Sequence, residues 1–141
     1  MTATPIKIML VDDNEADIEL TKSTLEEGKV RMHIVTAMDG QDALDQLEAT
    51  LKKGEELPDL ILLDLNMPRL DGRGFLSKLR QTEHLKAIPV VVLTSSDAEQ
   101  DIVKSYKLGA NCYVNKPVGL DEFQKIVRTV EHFWLTVVKL P

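Results

Sequence analysis

Five short apolar runs alternate with amphipathic stretches along the whole chain, and this alternation limits the possible folds more than any other feature of the sequence. The runs are apolar at consecutive positions, which is typical of strands buried on both faces. Strands that alternate with helices predict a parallel sheet covered by helices on both sides. The predicted strands are Ile6–Val11, Met32–Ala37, Leu60–Leu63, Pro89–Leu93 and Asn111–Val114.

The stretches between the runs carry apolar residues at helical spacing. Residues that cap helices precede them: Asp13 or Asn14 before the first helix, Asp39 before the second and Asp97 before the fourth. There is no repeat and no linker, so we expect one doubly wound α/β domain over residues 1–141 with no output domain. The apolar helix faces are Ala43, Leu44, Leu47 and Leu51, then Phe75, Leu76 and Leu79, and then Ile102, Val103 and Tyr106.

Composition and charge exclude several classes of function. A chain of 141 residues with 43% hydrophobic and 28% charged residues is typical of a soluble globular domain. Its net charge of -6 argues against binding to nucleic acid or to an anionic membrane surface, since both require a basic face. No apolar run has the length of a membrane span, and the lone Cys112 suits a reducing compartment. We therefore expect a cytoplasmic protein without a nucleic-acid or membrane partner.

Polar residues follow the predicted strands where each strand ends. In the stretch "LILLDLNMPRLDG" an apolar strand leads directly into Asp64, and the first strand leads into Asp12 and Asp13. The fourth strand leads into Thr94, and Lys116 follows the fifth. Ligands of open α/β sheets bind outside the carboxyl ends of the strands, where the strand order reverses. If the order is 2-1-3-4-5, these carboxylates, the hydroxyl and the ammonium converge on one crevice.

The chemistry of such a crevice follows from its charge. Three neighbouring carboxylates repel one another and require a compensating cation, and oxygen ligands suit Mg²⁺. An aspartate beside this ion can attack phosphorus and form an aspartyl phosphate. Lys116 would then neutralise the phosphoryl group from the other side, and Thr94 would donate a hydrogen bond to one of its oxygens.

Each of these residues also has a purely structural explanation. Asp12 and Asp13 suit the positive N-terminus of the first helix, a contribution of about 0.3–1 kcal/mol each. Asp64 or Thr94 can cap a turn or a helix, and Lys116 can be solvated. For one isolated residue the structural explanation is the better one, but their common position at successive strand ends favours a site.

The motifs "LVDDNEAD", "LLDLNMPRLDG", "VVLTSS" and "NKP" resemble, in this order, the receiver domain of two-component response regulators, of which the chemotaxis regulator is a member. The resemblance covers essentially the whole chain. It implies a flavodoxin-like, five-stranded parallel sheet of order 2-1-3-4-5. It also implies that a histidine kinase transfers a phosphoryl group to Asp64.

The same resemblance implies a role for each site residue. Asp13 and Asp64 would bind Mg²⁺ directly, together with the backbone carbonyl of Asn66, while Asp12 would act largely through water. Thr94 and Lys116 would contact the phosphoryl group. Tyr113, three residues before Lys116, matches the aromatic switch that turns inward when Thr94 moves.

The last predicted helix is long and apolar on one side. Its final turns, with Phe133 and Trp134, either extend beyond the sheet or pack on Thr50–Pro58, and geometry alone leaves both open. "NCYVNKPVGLDEF" followed by "EHFWLTVVKLP" resembles the small response regulators paired with cyanobacterial phytochrome kinases. That resemblance implies a homodimer through this helix and a light-sensing histidine kinase as phosphoryl donor.

Three other functions are open at this stage. A mid-relay carrier would pass the phosphoryl group on to a histidine phosphotransfer protein, and the sequence does not separate it from a terminal switch. An aspartyl-phosphate phosphohydrolase would require a second acid where Asn66 stands, and its nucleophile on the first strand. An interaction module with a vestigial pocket would not need the complete set of acids. We therefore expect a phosphoacceptor switch rather than an enzyme.

Overall fold

The computed structural model describes residues 6–28, 31–65, 67, 70–94, 99–116 and 119–133, which form five strands and five helices in strict alternation. The strands are β1 Ile6–Val11, β2 Met32–Ala37, β3 Leu60–Leu63, β4 Val90–Thr94 and β5 Cys112–Asn115. The helices are α1 Glu15–Glu26, α2 Gly40–Lys53, α3 Gly72–Gln81, α4 Glu99–Lys107 and α5 Leu120–His132.

All neighbouring strands are parallel, and their order is β2-β1-β3-β4-β5. The order expected from the receiver resemblance is therefore confirmed. Because β1 lies between β2 and β3, the direction of chain progression reverses at β1 and β3. The carboxyl ends of these two strands therefore flank the crevice in which ligands of such sheets bind.

A separate apolar core lies on each face of the sheet. The first core joins α2 and α3 to the sheet and contains fully buried Leu47, Phe75 and Leu79. The second joins α1 and α5 to the opposite face, with Leu25 and Val127 nearly inaccessible to solvent. Burial of the third strand on both faces explains its uninterrupted run of apolar residues.

The strand predictions are right for β1, β2 and β3 and one residue early for β4 and β5. Pro89 has no N–H to donate to the sheet, and β4 begins after it at Val90. At the other end Thr94 pairs with Asn115, which extends both strands toward the site. Asn111 precedes β5 and accepts a hydrogen bond from the Val90 N–H through its side-chain oxygen at 2.8 Å.

Helix starts follow the predicted caps where the structure describes them. Asn14 caps α1 by accepting a hydrogen bond from the Asp17 N–H, and Asp39 caps α2 in the same way through the Asp42 N–H. Asp97, the predicted cap of α4, lies outside the described residues. The apolar face predicted for α4 is not part of a core, because Val103 and Tyr106 are 46% and 49% exposed.

Among the residues that the structure describes, no helix combines the length and the apolar character that crossing a membrane requires.

Candidate functional site

Asp12 is fixed at the carboxyl end of β1 by the turn into α1. Its backbone N–H donates to the Ala37 carbonyl at 3.1 Å, and its Oδ1 accepts a hydrogen bond from the Asn14 N–H at 2.9 Å. Asn14 in turn caps α1. One short turn therefore aims the Asp12 carboxylate at the crevice and begins the helix that follows.

Asp64 occupies the equivalent position after β3. Its N–H donates to the Val11 carbonyl at 2.9 Å, which continues the hydrogen bonding between β3 and β1 by one residue. The start of α3 packs directly against it, since a β-carbon at Gly72 would lie 2.4 Å from the Asp64 carbonyl oxygen. Gly72 therefore allows the helix to begin this close to Asp64, and a larger residue would displace the loop.

Thr94 and Lys116 bring the remaining polar groups to Asp64. The buried Thr94 hydroxyl donates to Asp64 Oδ1 at 2.8 Å. The Lys116 N–H donates to the Thr94 carbonyl at 2.7 Å, so β4 and the end of β5 hold both residues in register. Sequence reasoning predicted this convergence, and the structure brings the two side chains to the same carboxylate.

The Lys116 ammonium lies among three carboxylates. Its Nζ is 2.6 Å from Asp12 Oδ2, 2.9 Å from Asp17 Oδ2 and 3.7 Å from Asp64 Oδ2. The first two distances are hydrogen bonds, whereas the third is too long for one. Only 8% of the Lys116 side chain is exposed, so these contacts lie in a medium that screens charge less than water does.

Burial and charge oppose each other in the pKa values of this cluster. Burial raises the pKa of Asp12, the hydrogen bonds from Lys116 and from the Asn14 N–H offset part of this effect, and the Asp64 charge adds to it. For Lys116, burial by itself lowers the pKa, but the hydrogen bonds to Asp12 and Asp17 and the charges of Asp12 and Asp64 together outweigh burial and raise it. The cluster therefore stabilises the ammonium form of Lys116 and retains an excess of negative charge.

Asp12, Asp13 and Asp64 fit a divalent cation. Each can offer one carboxylate oxygen, and these oxygens lie within 4.8 Å of one another. Hard oxygen donors in this number are the ligands that Mg²⁺ takes together with water. Asp13 is exposed, which leaves an open side for solvent or a phosphate oxygen. Asn66, whose carbonyl the resemblance adds to this set, lies outside the described residues.

Tyr113 lies on β5 beside α4, and its backbone N–H donates to the hydroxyl of Tyr106 at 3.1 Å. Nearby, Arg73 at the start of α3 forms an ion pair with Asp101 of α4 at 2.6 Å. The hydrogen bond to Asp101 raises the pKa of Arg73, and Tyr113 contributes to the same effect. Sequence reasoning did not find this pair, because nothing in the two local sequences links them.

Asp17 is the other residue of the site that sequence reasoning missed. It lies in the first turn of α1, where an acidic residue is common because of the helix dipole. Its spacing from Asn14 signals only a helix cap. The contact of Asp17 with Lys116 joins residues 99 positions apart, and such a pairing depends on the assembled sheet.

Comparisons with known proteins agree with this geometry. The family model for the response regulator receiver domain matches residues 8–128. The response regulator Rcp1 of the cyanobacterium Synechocystis is 41% identical, over 97% of this chain and 94% of that protein.

Two solved structures are similar over nearly their whole lengths. The phosphorylated cyanobacterial phytochrome response regulator RcpA has a TM-score of 0.92 at 43% identity, over 98% of this chain and 99% of that one. The Mn²⁺-bound form of Rcp1 has a TM-score of 0.88 at 40% identity, over 97% of this chain and 99% of that one. The chain therefore belongs to the family of response regulator receiver domains, and its acidic cluster is the divalent-metal pocket of a two-component response regulator.

Proposed function

We propose that Asp64 is the phosphoacceptor of this response regulator and that a sensor histidine kinase is its phosphoryl donor. One observation carries the assignment: the Asp64 carboxylate lies between the Thr94 hydroxyl at 2.8 Å and the Lys116 ammonium at 3.7 Å, beside the acidic cluster. Asp12 is engaged by Lys116 at 2.6 Å, and Asp13 has no comparable neighbours among the described residues. Asp64 is the carboxylate with a donor for each side of a phosphoryl group.

The transfer makes one bond and breaks one. An Asp64 carboxylate oxygen attacks phosphorus, an O–P bond forms, and the P–N bond of the phosphohistidine breaks. The electron pair stays on the imidazole nitrogen, which takes a proton from solvent. Lys116 and Thr94 donate to phosphoryl oxygens on which negative charge is spread in the transition state.

Asp13 and Asp64 would hold Mg²⁺ directly, together with the Asn66 carbonyl, and Asp12 would act through water. When bound, the ion supplies positive charge to the phosphoryl oxygens and offsets the repulsion among the carboxylates. The only chemistry that we assign to the protein is the phosphorylation and dephosphorylation of its own aspartate.

Tyr113 would report phosphorylation to the surface. Thr94 donates to Asp64 before transfer, and a phosphoryl group offers its hydroxyl a new acceptor. Movement of Thr94 would open space on the side of β4 that faces β5, and Tyr113 would turn into it. Tyr113 lies beside Tyr106 and α4, so this rotation would change an exposed face of the domain.

We infer that the kinase is a phytochrome, so that the signal is light, and that the protein works in the cytoplasm. The similarity to RcpA, a cyanobacterial phytochrome response regulator, supports the first inference. The acidic net charge of -6 supports protein partners rather than nucleic acid.

Phosphorylation of Asp64 is tested by intact mass after incubation with acetyl phosphate and Mg²⁺. Two aspartates that flank β3 make a matched pair: Asp64 follows the strand at the site, and Asp59 precedes it at the opposite end. We expect one phosphoryl adduct on the wild type and on Asp59→Ala, and none on Asp64→Ala or without Mg²⁺. An adduct that persists on folded Asp64→Ala would refute the assignment.

We also propose a homodimer through the end of the C-terminal helix. Phe133, at the end of α5, is 49% exposed although the preceding apolar residues Phe123, Val127 and Val130 are buried. Trp134, the other residue assigned to this contact, lies outside the described residues. An exposed aromatic side chain next to a buried stripe is typical of a partner surface.

Mass in solution tests the dimer. We expect the wild type to be a dimer at micromolar concentration and the Phe133→Ala and Trp134→Ala variants to contain more monomer. Met38→Ala is the control, because Met38 is similarly exposed at 41% but lies before α2. A dimer that both C-terminal variants leave intact would remove the role assigned to this helix end.

A further inference from the structure

Asp12 can interact with two groups in the site, the Lys116 ammonium and a bound cation. Its carboxylate is the nearest partner of Lys116, at 2.6 Å, and it is also one of the three residues whose oxygens can surround a cation. A bound cation draws electron density from the carboxylates near it and weakens their hydrogen bonds to other donors. Cation binding therefore loosens the strongest contact of Lys116 in the same state in which Lys116 must face a phosphoryl group.

Asp17 also contacts Lys116 but does not contribute to the cation site. Its Oδ2 accepts from Lys116 Nζ at 2.9 Å, and Asp17 is not part of the cation cluster. Its backbone is fixed, because its N–H donates to the capping oxygen of Asn14 at 3.0 Å. An ammonium group has three N–H donors, so Asp12 and Asp17 together leave one for Asp64.

The direction of that third donor is set by the geometry. Lys116 Nζ is 3.7 Å from Asp64 Oδ2, which is too long for a hydrogen bond but close enough for Lys116 to donate to an oxygen of a phosphoryl group bound to Asp64. With 8% of its side chain exposed, Lys116 has little freedom to take another position while Asp17 holds it.

We propose that Asp17 is a positioning residue, which keeps the Lys116 ammonium directed at the phosphoryl group on Asp64 while Asp12 serves the cation. The proposal rests on the phosphoryl transfer to Asp64 proposed above. Asp17 itself touches neither the phosphoryl group nor the cation and acts only through Lys116.

The simplest alternative is that Asp17 only stabilises the start of α1. Glu15 tests this alternative within the same turn, since it is also acidic and near the helix N-terminus but is exposed and has no contact with Lys116 among the described residues. A helix-dipole role predicts equal effects for the two acids, whereas a positioning role predicts an effect for Asp17 alone.

The experiment compares Asp17→Ala and Glu15→Gln with the wild type in three measurements: the rate of adduct formation from acetyl phosphate, the Kd of Mg²⁺ by calorimetry without a phosphoryl donor, and the thermal midpoint. For Asp17→Ala we expect the maximal rate of adduct formation to fall about tenfold, the transition-state effect of one partly buried charged hydrogen bond. We expect its Mg²⁺ Kd to stay within about twofold of wild type, which is a change below about 0.4 kcal/mol. Glu15→Gln should match the wild type in rate and Kd.

A double-mutant cycle separates positioning from a general structural role. If Asp17 acts only through Lys116, Asp17→Ala should cause no further loss of rate when Lys116→Ala is already present. Asp17→Asn, which keeps the shape of the side chain, replaces Asp17→Ala if the latter does not fold.

The inference is overturned if Asp17→Ala forms the adduct as fast as the wild type, or if its loss is fully additive with Lys116→Ala. A wild type that forms no adduct on Asp64 would instead refute the proposed function, and this inference with it. The behaviour of the wild type therefore tells the two failures apart.

Discussion

Two cationic side chains lie at opposite ends of the sheet, and the protein holds them in opposite ways. Lys116, at the carboxyl ends of the strands, is surrounded by carboxylates. Arg80, from the last turn of α3, lies at the amino ends of β4 and β5 and has no carboxylate partner among the described residues. It donates five hydrogen bonds of 2.7–3.0 Å to uncharged oxygens, namely the carbonyls of Lys86, Ile88 and Gly109 and the side chain of Asn111.

The pKa values of the two groups shift in opposite directions, in agreement with this difference in partners. Burial lowers the pKa of Arg80, and no carboxylate within the described ranges offsets this effect. Burial acts on Lys116 too, but the carboxylates reverse its effect and raise the pKa. Gly109 shows how closely Arg80 is packed, since a β-carbon there would lie 2.8 Å from Arg80 Cγ.

The hydrogen bonds of Arg80 form a fixed network, whereas the contacts of Lys116 can change. The oxygens that accept from Arg80 among the described residues belong to the backbone or to an amide, so the fold itself supplies them and no ligand is needed. Around Lys116 there are more negative than positive charges, so a cation or a phosphoryl group changes the balance of its contacts. The fold itself therefore completes the contacts of Arg80 at the amino end of the sheet, whereas a ligand can change the contacts of Lys116 at the carboxyl end.

The largest expected effect is on phosphorylation. Lys116→Ala should slow adduct formation by about 10²–10³-fold, the usual loss when one donor to a developing anion is removed. Arg80→Met should leave the rate per folded molecule within about twofold, since Arg80 lies at the other end of the sheet. Both rates are measured by intact mass on samples quenched at successive times and are divided by the folded fraction of each protein. A large rate defect in folded Arg80→Met would break the comparison.

The second prediction concerns stability. Arg80→Met should lower the free energy of unfolding by about 2–4 kcal/mol, because it leaves the carbonyls of Ile88 and Gly109, in the loops that follow α3 and α4, without this donor. Lys78→Met is the control in the same helix, since Lys78 is exposed. Urea unfolding measures the difference, and Mg²⁺ should stabilise the wild type and Arg80→Met equally, so that the difference between them stays the same. A difference that shrinks in Mg²⁺ would mean that the two ends are coupled.

The third prediction concerns the excess of negative charge at the site. In the presence of a chelator, Asp13→Asn should be more stable than the wild type by about 0.5 kcal/mol, because one of the repelling carboxylates is removed. In Mg²⁺ the order should reverse, since the wild type gains stability from binding and the variant largely loses the site. Thermal unfolding with and without Mg²⁺ measures both. Equal Mg²⁺ stabilisation of the two proteins would show that Asp13 is not a ligand.

Much of the fold could be predicted because the buried strands leave a strong local signal. Uninterrupted runs such as Leu60–Leu63 mark strands that are covered on both faces, and the structure confirms them. The strand order came from the family resemblance, because periodicity does not tell which strands are neighbours. The burial of α4 could not be predicted either: helical spacing places Val103 and Tyr106 on one face but does not tell whether anything covers that face.

The residues of the site also fall into those that the sequence could predict and those that it could not. Asp12, Asp13, Asp64, Thr94 and Lys116 were predictable, because each ends or follows a strand and parallel strands end at one edge. Asp17 was missed since its local pattern is that of a helix start, and the Arg80 network was missed since its acceptors are mostly backbone carbonyls. Such acceptors have no sequence signature. The local sequence does not encode these contacts, because only the assembled sheet brings the distant residues together.

The smallest expected effect appears at alkaline pH and tests the sign of the two shifts. The folded pKa of Lys116 is raised above its ordinary value of 10.5, so its contribution to stability is fully present below pH 10.5 and is lost as the pH rises through the folded value. Burial lowers the pKa of Arg80, so deprotonation does not remove stability from the folded state in the same way. The unfolding free energy of the wild type should therefore decline above pH 10.5 more steeply than that of Lys116→Ala, and Arg80→Met should decline as the wild type does. Equal slopes for the wild type and Lys116→Ala would mean that the carboxylates around Lys116 do not hold its proton, and the contrast between the two ends of the sheet would then rest on geometry alone.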